Sequence, residues 1–176
     1  LSYVQEASGA KVICALKGYA LWASFPWVSQ YLKGTTASGL YEAQLGYETF
    51  GGEVHVYSPA FEERDFSAIL DIADHISFNS FSQWMRFRNQ IKFSGRNVSC
   101  GIRVNPEFSE VETDLYNPCV PYSRLGVTRK EFREDLLEGI EGLHFHSLCG
   151  KGADSLERTL EVLETHFGSV LSQMKW

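Results

Sequence analysis

Short apolar runs alternate with amphipathic stretches along this chain, and a new run begins every 20 to 30 residues or so. The runs predict six strands, at residues 11–16, 34–38, 54–57, 75–78, 100–104 and 140–145. Each is followed by a helical pattern rather than by a two-residue turn. That order is typical of parallel β/α units, since parallel strands need a long crossover connection.

The amphipathic stretches predict helices between the strands. They lie near 21–32, 40–45 and 65–72, over the segment after Asn79-Ser80, and at 130–137 and 153–171. Ser38, Asn79-Ser80 and Thr128 precede three of these helices. Their short polar side chains are typical of residues that cap a helix N-terminus.

This element order fits two architectures, a (β/α) barrel or an open doubly wound sheet. No glycine-rich dinucleotide fingerprint follows the first strand, which argues against the Rossmann type. A closed barrel needs eight strands. With six, the chain is short of a whole barrel, and we expect residues 174–176 to begin a further strand.

Composition narrows the possible partners. The 176 residues carry 16 basic and 22 acidic side chains, a net charge of −6, which predicts neither nucleic acid nor an anionic membrane as partner. No apolar run is long enough for a transmembrane helix. The four cysteines match no zinc or redox spacing, which predicts a reducing, cytoplasmic compartment without a disulfide framework.

Lys17 stands directly after the first apolar run and before Gly18. At the C-terminal end of a buried strand, its amine would point at the floor of a pocket and lose part of its water. Burial disfavours the ammonium form, so the free amine would be available as a nucleophile. The alternative is a strand that ends at the surface with its lysine in solvent.

Other polar residues also follow strands, at the end of parallel β/α folds where active sites lie. Arg103 could meet a phenolate or carboxylate there, or form an ion pair with an acid of the 107–114 loop. His144 and His146 alternate around Phe145, so they would share a strand face. They fit a metal pair, one structural histidine with one that stacks on an aromatic cofactor, or a purely structural pair.

The longest connection runs between Asn105 and Thr128 and contains three prolines and several acids. A loop of this length in a compact domain is usually functional. Within it, the turn at 123–126 carries Arg124, although it could equally be a plain helix entry.

Several segments, taken in order, resemble a known enzyme family. They are residues 15–19, 34–38 with 41–42, 101–106, 123–126 and 142–146. Three further stretches, 50–59, 110–118 and 144–149, carry a narrower likeness. The set resembles the fold-type III pyridoxal phosphate (PLP) decarboxylases and, among them, the carboxynorspermidine (carboxyspermidine) decarboxylase family.

The resemblance implies an α/β fold, a (β/α)8 TIM-type barrel of the alanine-racemase-like kind. Residues 1–176 would be its PLP-binding domain with about six β/α units present. Lys17 would hold the cofactor covalently, His146 would stack on its pyridine ring, and Arg103 would lie in its hydrogen-bond network. Lys17 and His146 would thus be the catalytic residues, with no metal.

The resemblance also implies a substrate region. Arg124 and the acidic loop that contains Asp114 would border it. Related decarboxylases carry an acidic residue near the lysine, where this chain has Thr36.

The implied activity is decarboxylation of carboxynorspermidine or carboxyspermidine to norspermidine or spermidine in polyamine biosynthesis, with pyridoxal 5'-phosphate as cofactor. The alternatives are another fold-type III decarboxylase or racemase, against which the 110–118 string argues, and a non-catalytic PLP-binding barrel protein. The family continues past this segment into a phosphate loop, the last barrel strands and a β-domain. We therefore expect residues 1–176 to be incomplete and inactive alone, and the full-length protein to be a homodimer.

Overall fold

The computed structural model describes residues 1–176 and contains a six-stranded sheet in the order β1-β2-β3-β4-β5-β6. The strands are β1 (Cys14–Ala15), β2 (Gly34–Ala37), β3 (Glu53–Ser58), β4 (His75–Phe78), β5 (Ser99–Arg103) and β6 (Gly142–His144). Pairing is parallel between β1 and β2, β2 and β3, and β5 and β6. A doubly wound sheet reverses its strand order. The unbroken order here confirms a partial barrel of the predicted class.

Six α-helices accompany the strands. They are α1 (Ser2–Ser8), α2 (Phe25–Val28), α3 (Leu40–Leu45), α4 (Glu63–Ile72), α5 (Phe81–Phe93) and α6 (Ala153–Leu171). The last of these has the predicted bounds, and its buried face repeats at Ser155, Thr159, Leu163 and Phe167, one residue per turn. No helix combines the length and apolar character needed to cross a membrane.

The chain forms two compact units, and the first contains residues 1–76 and 89–99. Its core includes Cys14, Leu16, Phe25 and Phe50, with the two phenylalanine rings in edge contact at 5.1 Å. Gly34 lies where β2 runs against β3. A Cβ there would stand 2.1 Å from the Glu53 carbonyl oxygen, so only glycine fits this approach.

The second unit contains residues 77–88 and 100–176. Its core includes a row of three aromatic rings, in which Phe132 contacts Phe81 and Phe167 with 5.2 Å between each pair of centroids. This row explains a wrong prediction. Instead of a helix over 130–137, two 3-10 turns occupy Arg129–Glu131 and Glu134–Leu136. The backbone is extended at Phe132 between them, because that conformation inserts its ring into the core.

Two other helix predictions need correction. The helix expected at 21–32 is a 3-10 turn at Trp22–Ser24 followed by the single turn of α2, in which only Phe25 is buried. Ser38 does not cap α3; its N–H instead donates to the Glu42 carboxylate at 2.6 Å. Ser80 does act as expected, because its hydroxyl accepts the Gln83 N–H at 3.2 Å in the first turn of α5.

The end of the described segment lies beside β6. Lys175 N–H donates to the Glu141 carbonyl at 2.7 Å, and the Trp176 carbonyl accepts from Leu143 N–H at 3.0 Å. The Trp176 indole covers two glycines of neighbouring strands, and a Cβ on Gly101 or Gly142 would collide with it. Residues 174–176 are thus hydrogen-bonded alongside β6, but they do not form the further strand that the sequence predicts.

The cysteines of the strands behave as the small apolar residues expected. Cys14 and Cys100 are both buried. Burial, reinforced by the nearby Glu141 charge, raises the pKa of the Cys100 thiol to about 12. This thiol therefore stays protonated and inert at neutral pH.

Candidate functional site

The residues singled out from the sequence stand at strand ends. Lys17 lies two residues after β1, Arg103 is the last residue of β5, and His146 lies two residues after β6. In barrels of this class the residues after the strands build the active site.

Lys17 lies on a turn that Gly18 and Tyr19 close by donating their N–H groups to the Ala15 carbonyl, both at 3.0 Å. The side chain of Lys17 is exposed, whereas its neighbour Leu16 is buried. The burial expected for the lysine is therefore not seen in this chain. The reason is that β1 ends at Ala15, so Lys17 already belongs to the exposed turn.

Thr36 lies beside this segment on β2. It pairs with Ala15, and its carbonyl accepts the Leu16 N–H at 3.1 Å. Its half-buried hydroxyl is the polar group that β2 offers next to the lysine turn, in place of the carboxylate expected in relatives.

Arg103 and the segment after β6 are in direct contact. Arg103 is 5% exposed, and its Nη2 donates to the His146 carbonyl at 3.5 Å. The strand ends at His144, so His146 lies beyond it and the expected alternation along one strand is wrong. The half-buried His146 ring places Nε2 3.6 Å from the Cys149 sulfur.

Ser147 contributes a buried polar atom next to His146. The residue is 2% exposed, and its hydroxyl has no hydrogen-bond partner within the chain. Its carbonyl accepts from the Ser109 hydroxyl at 3.2 Å, which ties the segment to the long loop. A buried hydroxyl without a partner is costly. An oxygen of a bound ligand would satisfy it.

Arg124 lies on a turn that Asn79 holds from the end of β4. The Asn79 side-chain amide donates to the Arg124 carbonyl, and its side-chain oxygen accepts from Gly126 N–H, both at 2.9 Å. Gly126 has a φ of +79°, and a Cβ there would press on the Val104 backbone. The Arg124 side chain is exposed, so this turn presents a cation on a fixed backbone.

Two acids of the acidic loop differ in their surroundings, since Glu110 is hydrogen-bonded and Asp114 is exposed. Arg158 of α6 binds the Glu110 carboxylate in bidentate fashion at 2.6 and 2.9 Å, and the Ser155 hydroxyl also donates to it. These hydrogen bonds lower the pKa of Glu110 to about 2. Asp114 is exposed on the 3-10 turn Asp114–Tyr116.

One cluster was missed by sequence reasoning. Glu53, His55 and His75 bring their ligand atoms together within 4.8 Å of one another in the first unit. The alternation of Glu53 and His55 along β3 was a possible signal. His75 is 20 residues further along, and only strand pairing brings it close.

Comparison with known proteins shows which enzymes this chain resembles. No protein-family model matches it. It is 47% identical over 176 residues to a carboxynorspermidine/carboxyspermidine decarboxylase of Campylobacter jejuni, covering 100% of this chain and 45% of the relative. It is 46% identical over 173 residues to a carboxyaminopropylagmatine decarboxylase of Synechocystis, covering 98% of this chain and 44% of the relative.

Comparison of the fold with solved structures finds the same kind of decarboxylase. The crystal structure of carboxynorspermidine decarboxylase from Campylobacter jejuni, in complex with norspermidine, matches with a TM-score of 0.88 at 43% identity. The match covers 99% of this chain and 44% of that one. Along almost its whole length, this chain is thus similar to carboxynorspermidine/carboxyspermidine decarboxylases.

The fold extends beyond this decarboxylase family. Diaminopimelate decarboxylase from Helicobacter pylori, in complex with L-lysine, matches 96% of this chain and 46% of its own with a TM-score of 0.77 at 14% identity. An SrLDC mutant in complex with PLP matches 91% of this chain and 42% of its own with a TM-score of 0.61 at 15% identity. The chain spans about half the length of the curated decarboxylases that it matches.

Asn79→Asp should destabilise the fold by about 1–3 kcal/mol, because the Arg124 carbonyl loses its donor while the Gly126 N–H keeps an acceptor. Urea unfolding measures the change. Asn89→Asp, on the exposed face of α5, is the matched control and should change stability little. Equal unfolding midpoints for both variants would contradict the role of Asn79.

The Glu110 ion pair should be visible in the pH dependence of stability. The folded pKa of about 2 lies below the ordinary 4.5, so the stabilisation is complete above 4.5 and declines as pH falls toward 2. Glu110→Gln should thus be less stable than the parent at pH 7, with the difference shrinking below pH 4.5. Urea unfolding across this range measures it. Glu112→Gln, in an exposed position of the same loop, should show no such trend.

Proposed function

We propose that the protein carrying this chain is a PLP-dependent decarboxylase that converts carboxynorspermidine or carboxyspermidine to norspermidine or spermidine. The observation that carries the proposal is the 47% identity with the Campylobacter decarboxylase along all 176 residues. The family motifs lie in order on β-strand ends and on the long loop. Residues 1–176 would form part of the PLP-binding barrel, and we expect the active protein to be a cytoplasmic homodimer.

The residues present suit the cofactor. A primary amine at Lys17, a half-buried imidazole at His146 and a buried guanidinium at Arg103 are the groups that a covalently held, anionic aromatic ligand requires. Ser147 adds a buried hydroxyl with no partner, which can donate to a ligand oxygen. When bound, PLP supplies an electron sink for the carbanion left by loss of carbon dioxide.

Lys17 would have two roles. Its Nζ would hold the cofactor covalently. The same amine, when free, would hold or move a proton as a general acid or base. Exposure of Lys17 on a short turn suits both roles, since the side chain has rotamer freedom in both states.

His146 and Arg103 would position rather than react. The imidazole of His146 would lie against the aromatic ring of the cofactor and orient it. Arg103 holds the main chain of that histidine through its hydrogen bond to the carbonyl. Because Arg103 is buried and its planar guanidinium is rigid, the backbone after β6 is fixed where the ring is needed.

Arg124 and Asp114 would meet the substrate, which carries both a carboxylate and several ammonium groups. Arg124 offers a cation for the carboxylate on the turn that Asn79 fixes. Asp114 offers an anion for an ammonium group on the acidic loop, and it is exposed, whereas Glu110 is already bound to Arg158.

Carbon dioxide release from the full-length protein tests the proposal. With carboxynorspermidine and carboxyspermidine as substrates, we expect stoichiometric carbon dioxide and the corresponding triamine. Diaminopimelate and lysine serve as control substrates and should react far more slowly. A protein that binds PLP and releases no carbon dioxide from any of them would be the non-catalytic carrier instead.

The 46% identity with the Synechocystis enzyme supports carboxyaminopropylagmatine as a second candidate substrate. Measuring kcat/KM for all three carboxylated substrates in one assay decides the preference. A higher kcat/KM for carboxyaminopropylagmatine would keep the proposed decarboxylation. It would make carboxyaminopropylagmatine, rather than carboxynorspermidine or carboxyspermidine, the preferred substrate.

A further inference from the structure

Three side chains with metal-binding atoms meet near the N-terminal ends of two strands in the first unit. Glu53 is the first residue of β3, His55 follows on the same face, and His75 is the first residue of β4. Their ligand atoms all lie within 4.8 Å of one another. We propose that Glu53, His55 and His75 form a binding site for a divalent metal ion of the zinc class.

The ligand set and its spacing suit zinc. Two imidazole nitrogens and one carboxylate oxygen are ligands that zinc accepts, with a remaining position for water. With bonds of about 2.0–2.1 Å, two ligands of a tetrahedral zinc stand about 3.3 Å apart. The Glu53 oxygen and His55 Nε2 already stand 3.2 Å apart. The imidazoles of His55 and His75 are stacked with 4.1 Å between centroids, which keeps the third ligand beside the other two.

The backbone holds these residues in register. Asp74, next to His75, donates its N–H to the Val54 carbonyl at 2.9 Å, and its carboxylate accepts the Val54 N–H at 2.8 Å. Val54 lies between the other two ligands in sequence. This double contact fixes the start of β4 against β3. Sites built on strands are more precise than sites on loops, so little ordering is needed for binding.

The site is accessible to an ion. The side chains of Glu53 and His55 are 29% and 23% exposed, which leaves a path for an ion. Lys11 pairs with the other oxygen of Glu53 and is 59% exposed, so its ammonium can move away from an arriving cation.

This cluster is separate from Lys17, the residue of the same unit proposed to hold PLP. Lys17 follows the C-terminal end of β1, whereas the cluster lies where the parallel strands β3 and β4 begin. A metal there would cross-link the two strands. Because it would bind the folded state selectively, it would raise the unfolding temperature as its concentration rises.

Zinc binding to the full-length protein tests the proposal. After removal of metal by a chelator, titration calorimetry with zinc alone should show one site per chain. His75→Gln and Glu53→Gln should each weaken that affinity by at least about tenfold, since even supporting residues of metal sites cost 10- to 100-fold. Zinc should raise the unfolding temperature of the parent and not that of His75→Gln.

Two controls separate this site from other zinc-binding groups. His166→Gln removes a half-buried histidine of α6 outside the cluster and should leave zinc affinity unchanged. Cys149→Ser removes the thiol beside His146 and should also leave it unchanged. Loss of binding in Cys149→Ser, its retention in both Glu53→Gln and His75→Gln, or no binding by the parent would overturn the proposal. Circular dichroism checks that each variant is folded.

Discussion

Lys17→Ala should abolish covalent PLP attachment in the full-length protein and lower kcat by about 10³-fold or more, because one residue would supply both the anchor and a proton-transfer group. Borohydride reduction followed by peptide mapping measures the attachment. In the parent, we expect the reduced adduct on the peptide that contains Lys17. Absorbance of the lysine-bound cofactor should disappear in the variant.

The controls for Lys17 separate the anchor from general charge effects. Lys33→Ala removes another exposed lysine of the first unit and should keep both the adduct and activity. Lys17→Arg keeps the positive charge and should lose both the adduct and the activity. If Lys17→Ala still forms a reducible adduct at a different lysine, the assignment of Lys17 is wrong.

His146→Ala should lower kcat by about 10²-fold and weaken cofactor retention much less. The loss follows from a cofactor ring that is no longer held flat, since a misplacement of about 1 Å can cost that much. Cofactor retention would persist because Lys17, the proposed covalent anchor, remains. Steady-state kinetics with a matching equilibrium dialysis of PLP measures the two effects separately.

His146→Phe is the informative companion variant. A phenyl ring can stack and cannot exchange protons, so it should recover a substantial part of kcat if the role is stacking. The control His166→Ala, on α6, should leave kcat unchanged. Unchanged turnover in His146→Ala would eliminate the stacking role.

Much of the fold could be predicted from the chain alone. Strands β3, β4 and β5 and helix α6 fall within one or two residues of their predicted places, because each has a clear apolar period and a polar boundary. The helix predicted at 130–137 was wrong, since Phe132 packs between Phe81 and Phe167 only in an extended backbone. The sequence around Phe132 carries no signal for these contacts with residues far along the chain.

The candidate site, like the fold, could be predicted from the sequence only in part. The positions of Lys17 and Arg103 at strand ends could be predicted, because a strand boundary is a local property of the sequence. The exposure of Lys17 could not be, since it depends on where β1 ends. The bond from Arg103 to the His146 carbonyl joins residues 43 apart, and only the packing of β5 against β6 creates it.

The sequence by itself determined the fold class and the likeness to the carboxynorspermidine/carboxyspermidine decarboxylases, because both rest on ordered local patterns: alternating strands and helices, and motifs such as those around Lys17 and His146. The tertiary structure decided which polar groups meet. Asn79 holds the Arg124 turn across 45 residues, and His75 joins Glu53 and His55 from the next strand. The physical reason is that hydrogen bonding and ligation act over a few ångströms in space, a distance that separation along the chain does not report.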